Sequence, residues 1–91
     1  MTRPRITVDM PSHGYEHGRA ISVNADIRTK YSELRERLLR TSGITVVEPY
    51  GFRHSFYVEH SPSLRWEAVQ DSVVAVIKEV FGYDDPEVIV H

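Results

Sequence analysis

The amino-acid sequence predicts a small α+β fold, with a ferredoxin-like βαββαβ core and an extra N-terminal strand. Two segments have the 3.6-residue period of amphipathic helices, five have the composition or alternation of strands, and the two kinds interleave along the chain. In the ferredoxin-like arrangement an antiparallel sheet carries both helices on one face and leaves the other face open. An unrelated two-helix α+β sandwich is the alternative.

The first two strands are predicted on either side of a loop. Residues 5–10 form a short β-branched run that ends before a proline. Residues 11–18, with the sequence PSHGYEHG, have the glycine and polar content of a loop. Residues 21–27 then alternate between apolar and polar side chains, beginning with Ile21 and Ser22, which predicts a strand with one buried face.

The segment 29–40 has the spacing of a helix. Tyr31, Leu34 and Leu38 recur at intervals of three and four residues among charged side chains, which gives one apolar stripe. Gly43 follows as a natural stop signal.

A hairpin is predicted from two β-rich runs, residues 44–48 and 53–60, on either side of a Pro-Tyr-Gly-Phe turn. On the second run Phe56 and Val58 are expected to face the core. The side chains expected on the other, open face are Arg53, Ser55, Tyr57 and Glu59.

The second helix is predicted to begin at Ser61, because serine is a good N-cap and proline follows it. Its apolar stripe consists of Trp66, Val69, Val73, Val76, Ile77 and Val80. Gly82 ends the helix, and residues 87–91 are predicted to form a closing strand with Val88 and Val90 on the side opposite Ile89.

Length and composition limit the possible functions. The 91 residues are expected to form a single domain, 1–91, and the formal net charge of -2 gives no overall attraction to nucleic acid or anionic lipid. The chain has no cysteine, no signal-peptide pattern at its start and no apolar run of about 20 residues, so we expect a cytoplasmic protein without membrane contact. Its nine arginines against two lysines are typical of GC-rich genomes and favour a bacterial or phage origin.

The charge is divided unevenly along the chain. Residues 1–40 carry eight basic and five acidic side chains, whereas residues 41–91 carry three basic and eight acidic ones. Two faces of opposite sign could meet in a homo-oligomer, although an uneven division is also common in small domains.

The predicted loop contains two histidines and a glutamate in five residues, His13-Gly14-Tyr15-Glu16-His17. A zinc site normally needs three or four ligands, and the His-Glu-x-x-His helix pattern is not matched. A third ligand could come from His54, His60 or His91, but nothing in the sequence requires it, so no metal site and no cofactor is predicted.

Single-stranded nucleic-acid binding is the alternative function for the aromatic hairpin. Aromatic side chains beside arginine on an open sheet face suit base stacking, and Gly51-Phe52 with Tyr57 resembles the Gly-aromatic motif of RNA-recognition modules. The residue before Gly51 is Tyr50 rather than a basic residue, and the strand at residues 21–25 lacks an exposed aromatic partner.

Catalysis has the least support in the sequence, which contains no serine elbow and no glycine-rich phosphate loop, so no catalytic residue is assigned. Small-molecule binding or catalysis at a subunit interface remains an alternative. The preferred interpretation is an interaction module that binds a protein partner, a second copy in the simplest case, through its open sheet face. The predicted contact residues are Tyr50, Phe52, Arg53 and Tyr57, since tyrosine and arginine are favoured at interfaces. The terminal strand at the sheet edge is a further place where a second chain could pair.

Overall fold

The computed structural model describes residues 3–51 and 53–91 and contains five strands and two α-helices in this part of the chain. The elements are β1 (Arg5–Asp9), β2 (Gly18–Val23), α1 (Tyr31–Leu39), β3 (Ile44–Pro49), β4 (Ser55–His60), α2 (Trp66–Phe81) and β5 (Glu87–Val90). A single 3₁₀ turn at Ile27–Thr29 precedes α1, with the Asp26 carboxylate accepting a hydrogen bond from the Arg28 backbone N–H. The predicted α+β class is confirmed.

All five strands belong to one sheet, in the order β3-β4-β2-β1-β5. Three of the neighbouring pairs are antiparallel, and β1 and β5 run parallel. The sheet is therefore mixed, and β3 and β5 are its two edge strands.

The ferredoxin-like arrangement is not confirmed, because that order would place β5 next to β2. In the structure β1 lies between them, and it gives the sheet its one parallel pair. The physical reason is the apolar face of β1, where Ile6 and Val8 are completely or almost completely buried. Both side chains belong to the core cluster that the two helices cover, so the strand expected to be an addition is an integral part of the sheet.

Both helices pack on the same face of the sheet. The register pairs Ile6 with Val23 and Val8 with Ile21, so these four side chains lie on one face. They form a single buried cluster with the apolar stripes of both helices. The predicted stripe on α2 is confirmed for its five buried members, whereas Val76 is only partly buried. The buried members are Trp66, Val69, Val73, Ile77 and Val80.

Several element boundaries differ from the prediction. Strand β2 begins at Gly18 and ends at Val23, because the chain then turns into the 3₁₀ helix. Strand β4 begins at Ser55 instead of Arg53. Helix α2 begins at Trp66, since Ser61 is used in a preceding turn, where its carbonyl accepts a hydrogen bond from the Leu64 N–H. Among residues 3–51 and 53–91, no helix combines the length and the apolar character needed to cross a bilayer.

Candidate interaction surface

The sheet face opposite the helices, called the outer face below, is partly covered by the chain itself. The segment 10–17 between β1 and β2 lies against it and buries Tyr57, which is only 4% exposed. The Tyr57 hydroxyl donates a hydrogen bond of 2.6 Å to the Glu59 carboxylate. Burial and this hydrogen bond raise the pKa of Tyr57 above its ordinary value. The tyrosine predicted to anchor a partner is thus packed inside the protein.

Three neighbours account for the burial of Tyr57. The His13 ring meets the Tyr57 ring edge to face, with 5.2 Å between centroids, and the Tyr50 ring stacks on it at 6.0 Å. Gly18 allows the closest approach, because a Cβ atom at that position would lie 2.3 Å from the Tyr57 hydroxyl oxygen. Glycine at position 18 therefore makes room for the tyrosine ring.

The covering segment is fastened to the β3–β4 hairpin by Ser12 and Tyr50. The Ser12 backbone N–H donates to the Tyr50 hydroxyl over 2.8 Å, and this hydroxyl donates to Ser12 Oγ over 2.9 Å. These hydrogen bonds lower the pKa of Tyr50. Within the segment, the Gly14 N–H donates to the Pro11 carbonyl at a positive φ of 71°.

The four predicted contact residues have different positions. Tyr50 and Tyr57 lie together under or beside the covering segment. Arg53 is exposed in the turn before β4, where it lines a shallow groove with Arg28 and Pro49. Phe52 lies outside the described residues. The binding role of these four residues stays a prediction, and a direct contact from Tyr57 would require the covering segment to move.

The histidines of the loop approach one further histidine. His17 meets the buried His60 ring edge to face at 5.5 Å, and the His60 Nδ1 atom lies 3.0 Å from the Ser61 carbonyl oxygen. His54 is near the Ala25 carbonyl and His91 is near Asp9, both away from this pair. In the part of the chain that the structure describes, no three histidine or acidic side chains are grouped closely enough to hold a metal ion.

The edge strand β5 leaves apolar side chains exposed. Val88 and Val90 pair in register with Ile6 and Val8 of β1, so they lie on the helix-facing side of the sheet. Their β1 neighbours are buried, but Val88 is 37% exposed and Val90 is 46% exposed. The helical layer therefore stops short of this edge.

Within residues 3–51 and 53–91, the backbone of β5 also has groups that face no neighbouring strand. The N–H groups of Glu87 and His91 donate to carbonyls of the β1 segment, those of Pro4 and Val8. Because alternate residues of a strand point to opposite sides, the N–H and C=O groups of Val88 and Val90 point away from β1.

Charged groups flank β5 on the outer face. The Arg5 guanidinium and the Glu87 carboxylate are 2.9 Å apart, and His91 Nε2 lies 3.7 Å from Asp9 Oδ1. Glu87, at the start of the strand, therefore lies beside a basic group. His91, just after its end, lies beside an acidic group.

The other edge, β3, is built differently. The strand ends at Pro49, and its pairing with β4 is irregular between Ile44 and Val46. Arg35 of α1 donates a hydrogen bond to the Val47 carbonyl over 3.3 Å. Proline, irregular pairing and a covering side chain are devices that keep an edge strand from pairing with another chain.

The sequence indicated the terminal strand as a further place of pairing, but none of its residues was among the four predicted contact residues. Alternation correctly predicted that Val88 and Val90 share a side, but the pattern could not show that the helices leave this side open. A scan against protein-family models gives no match, and searches of curated proteins and of solved structures give no significant match either. Function is therefore inferred from the geometry of the chain's own residues.

Proposed function

We propose that this protein is a non-catalytic interaction module that associates with a second copy of itself through the free edge of β5. The observation that carries the proposal is the exposure of Val88 and Val90 beside unpaired backbone groups on a regular edge strand. Edge strands of this kind add a further strand readily, because the backbone supplies hydrogen bonds and alternate side chains supply apolar contacts.

The energetics favour association at this place. Complete burial of a valine side chain is worth about 1.5–3 kcal/mol, and the two β5 valines have already gained a part of this in the monomer. A second copy would bury the remainder, and a chain of 91 residues benefits because small domains bury a limited share of their surface. The same contact occurs twice in a symmetric dimer.

The position of the aromatic residues favours this function over the binding of single-stranded nucleic acid. Base stacking requires open aromatic faces. The Tyr57 ring lies under His13, and the Tyr50 hydroxyl is bonded to Ser12. These rings hold the covering segment in place, whereas the β5 valines remain partly exposed.

The test compares lysine substitutions at the two edges. Val88→Lys would put a charge into the proposed interface, and Thr45→Lys puts the same charge on exposed β3 as the matched control. Light scattering across a size-exclusion peak, from low-micromolar to millimolar protein, is expected to show dimerisation of the wild type and Thr45→Lys but not of Val88→Lys. Melting curves check that both variants are folded.

Two results would overturn the proposal. A wild-type protein that stays monomeric at millimolar concentration has no self-association to explain. A dimer that survives Val88→Lys but is lost in Thr45→Lys uses the β3 edge instead.

A further inference from the structure

We infer that two copies join their β5 strands antiparallel about a two-fold axis at Ile89, which sets Val88 of one copy opposite Val90 of the other. This inference rests on the proposed function and specifies the register in which the two β5 strands pair. It follows from the hydrogen-bonding direction of the backbone, the side-chain pattern of residues 87–91 and the placement of α2.

The backbone allows few registers. In an antiparallel pair, residues that point their N–H and C=O groups at the partner strand must face one another. On β5 these are Val88 and Val90, since Glu87 and His91 donate toward β1. With the two-fold axis at Ile89, Val88 of each copy lies opposite Val90 of the other. Each of these two pairs makes two backbone hydrogen bonds, about four in all.

The two other centres are poorer. A centre at Val88 opposes Val90 to Pro86, which has no N–H to donate. A centre at Val90 leaves Val88 without a partner within β5. The Ile89 register is the one that uses both outward-pointing residues of each strand.

The side chains fit the same register. On the helix-facing side it brings each exposed valine against a valine of the second copy. On the outer face it sets Glu87 opposite His91 of the second copy. Together with Arg5 and Asp9, these residues form a row of alternating sign across the interface when the histidine is protonated.

The symmetry also determines how the helices meet. An antiparallel pair of edge strands has its two-fold axis perpendicular to the sheet, so both helical layers lie on the same side of one continuous sheet. Glu79 of α2 pairs with Arg37 of α1 and marks the flank that faces α1. With about 100° between successive helical residues, Val74 and Phe81 lie on the opposite flank of α2.

We expect these two half-buried side chains, which pack against the core, to extend the apolar strip that Val88 and Val90 begin. The two α2 helices would then approach each other across the axis. A pair of four-residue strands alone buries less than the roughly 1,200 Å² of a standard stable interface, so the α2 flanks are needed to complete the contact.

Cysteine cross-linking tests the register directly, because the natural chain has no cysteine. In the proposed dimer the two copies of residue 89 form a non-hydrogen-bonded pair with Cα atoms about 4.5 Å apart, within the range of a disulfide. Residue 88 of one copy is offset by two residues along the strand from residue 88 of the other. Their Cα atoms are therefore about 8–9 Å apart, too far for a disulfide.

We therefore expect Ile89→Cys, treated with diamide, to form a disulfide-linked dimer, and Val88→Cys alone to remain monomeric on a non-reducing gel. A mixture of Val88→Cys and Val90→Cys should yield a linked heterodimer, which keeps the test valid if Ile89→Cys folds poorly. Thr45→Cys, on β3, is the control for random collision and should give no product.

The outcomes separate the register from the association. Efficient cross-linking of Val88→Cys alone would overturn the Ile89 register while leaving pairing at β5 in place. A dimer in light scattering that none of the β5 cysteines can cross-link would overturn both the register and the edge. A wild-type monomer at all concentrations would remove the proposed function itself.

Discussion

The two edges of the sheet differ in how well they are protected. Strand β3 has an irregular register, a terminal proline at Pro49 and the Arg35 side chain bonded to one of its carbonyls. Strand β5 is regular, contains no proline and exposes Val88 and Val90. Natural sheets avoid unwanted pairing by protecting their edges. Strand β5 lacks the three features that protect β3, although it is short and charged groups flank it. This difference is the basis for proposing contact at β5.

The largest effect is expected from proline in β5. At Val90 the N–H points away from β1, so Val90→Pro removes a donor that the monomer does not use. The dimer needs that donor, and we expect the dissociation constant to rise by at least about 100-fold while the melting temperature stays nearly unchanged. Sedimentation velocity measures the first quantity and thermal unfolding the second.

The paired control is Ile89→Pro, which removes an N–H that points toward β1. This variant should lose stability as a monomer by about 1–3 kcal/mol in urea unfolding. Equal loss of stability in the two proline variants would show that both N–H groups are used within one chain, against the assigned direction of the strand.

Gly18→Ala is expected to affect the outer face and not the edge. The added methyl group would collide with the Tyr57 hydroxyl, since a Cβ atom at position 18 would lie 2.3 Å from that oxygen. Displacement of the ring should cost about 1–3 kcal/mol of unfolding free energy, measured in urea. Measured under conditions in which the variant is folded, the dissociation constant of its dimer should match that of the wild type. A large change in this constant would show that the outer face and the interface are coupled.

Tyr57→Phe should have a smaller, pH-dependent effect. Loss of the hydrogen bond to Glu59 is expected to cost about 1 kcal/mol at neutral pH. The pKa of Tyr57 is raised by burial, so the unfolded chain releases this proton first and wild-type stability falls as the pH rises above about 10. The variant should lose less stability than the wild type over that alkaline range. Identical alkaline slopes would show that Tyr57 is not protected from ionisation.

The smallest effect is expected from the charges beside the edge. Glu87→Gln removes the negative group opposite His91 of the second copy and should weaken the dimer by about 0.2–1 kcal/mol, more at low salt than at high salt. Glu48→Gln on β3 is the matched control and should leave the dimer unchanged. Weakening by both variants to the same extent would indicate a general charge effect and not a contact at β5.

Local patterns in the sequence predicted the elements well. The stripes of both helices, and the part of the predicted alternation at residues 21–23, follow directly from burial of one face, which fixes a period of two or 3.6 residues. The predicted continuation of this strand to Ile27 is wrong. Gly82 ends α2 in the left-handed conformation, as its position suggested. The side on which Val88 and Val90 lie was also predicted.

Features that depend on long-range packing could not be predicted in this way. The position of β1 within the sheet depends on which strands meet its apolar face, and no short pattern records this. The contact between Gly18 and Tyr57 joins residues far apart in the sequence, so Tyr57 appeared to belong to an open face. The exposure of Val88 and Val90 depends on where the helix layer ends, which the sequence of the strand does not record.

The most direct measurement is amide hydrogen exchange, followed by NMR at low and at high protein concentration. If β5 is the interface, the Val88 and Val90 amides should exchange rapidly in dilute protein and become protected as the concentration rises. The β3 amides should then show no such dependence. Protection that does not change with concentration at Val88 and Val90, or that rises along β3 instead, would contradict self-association through β5.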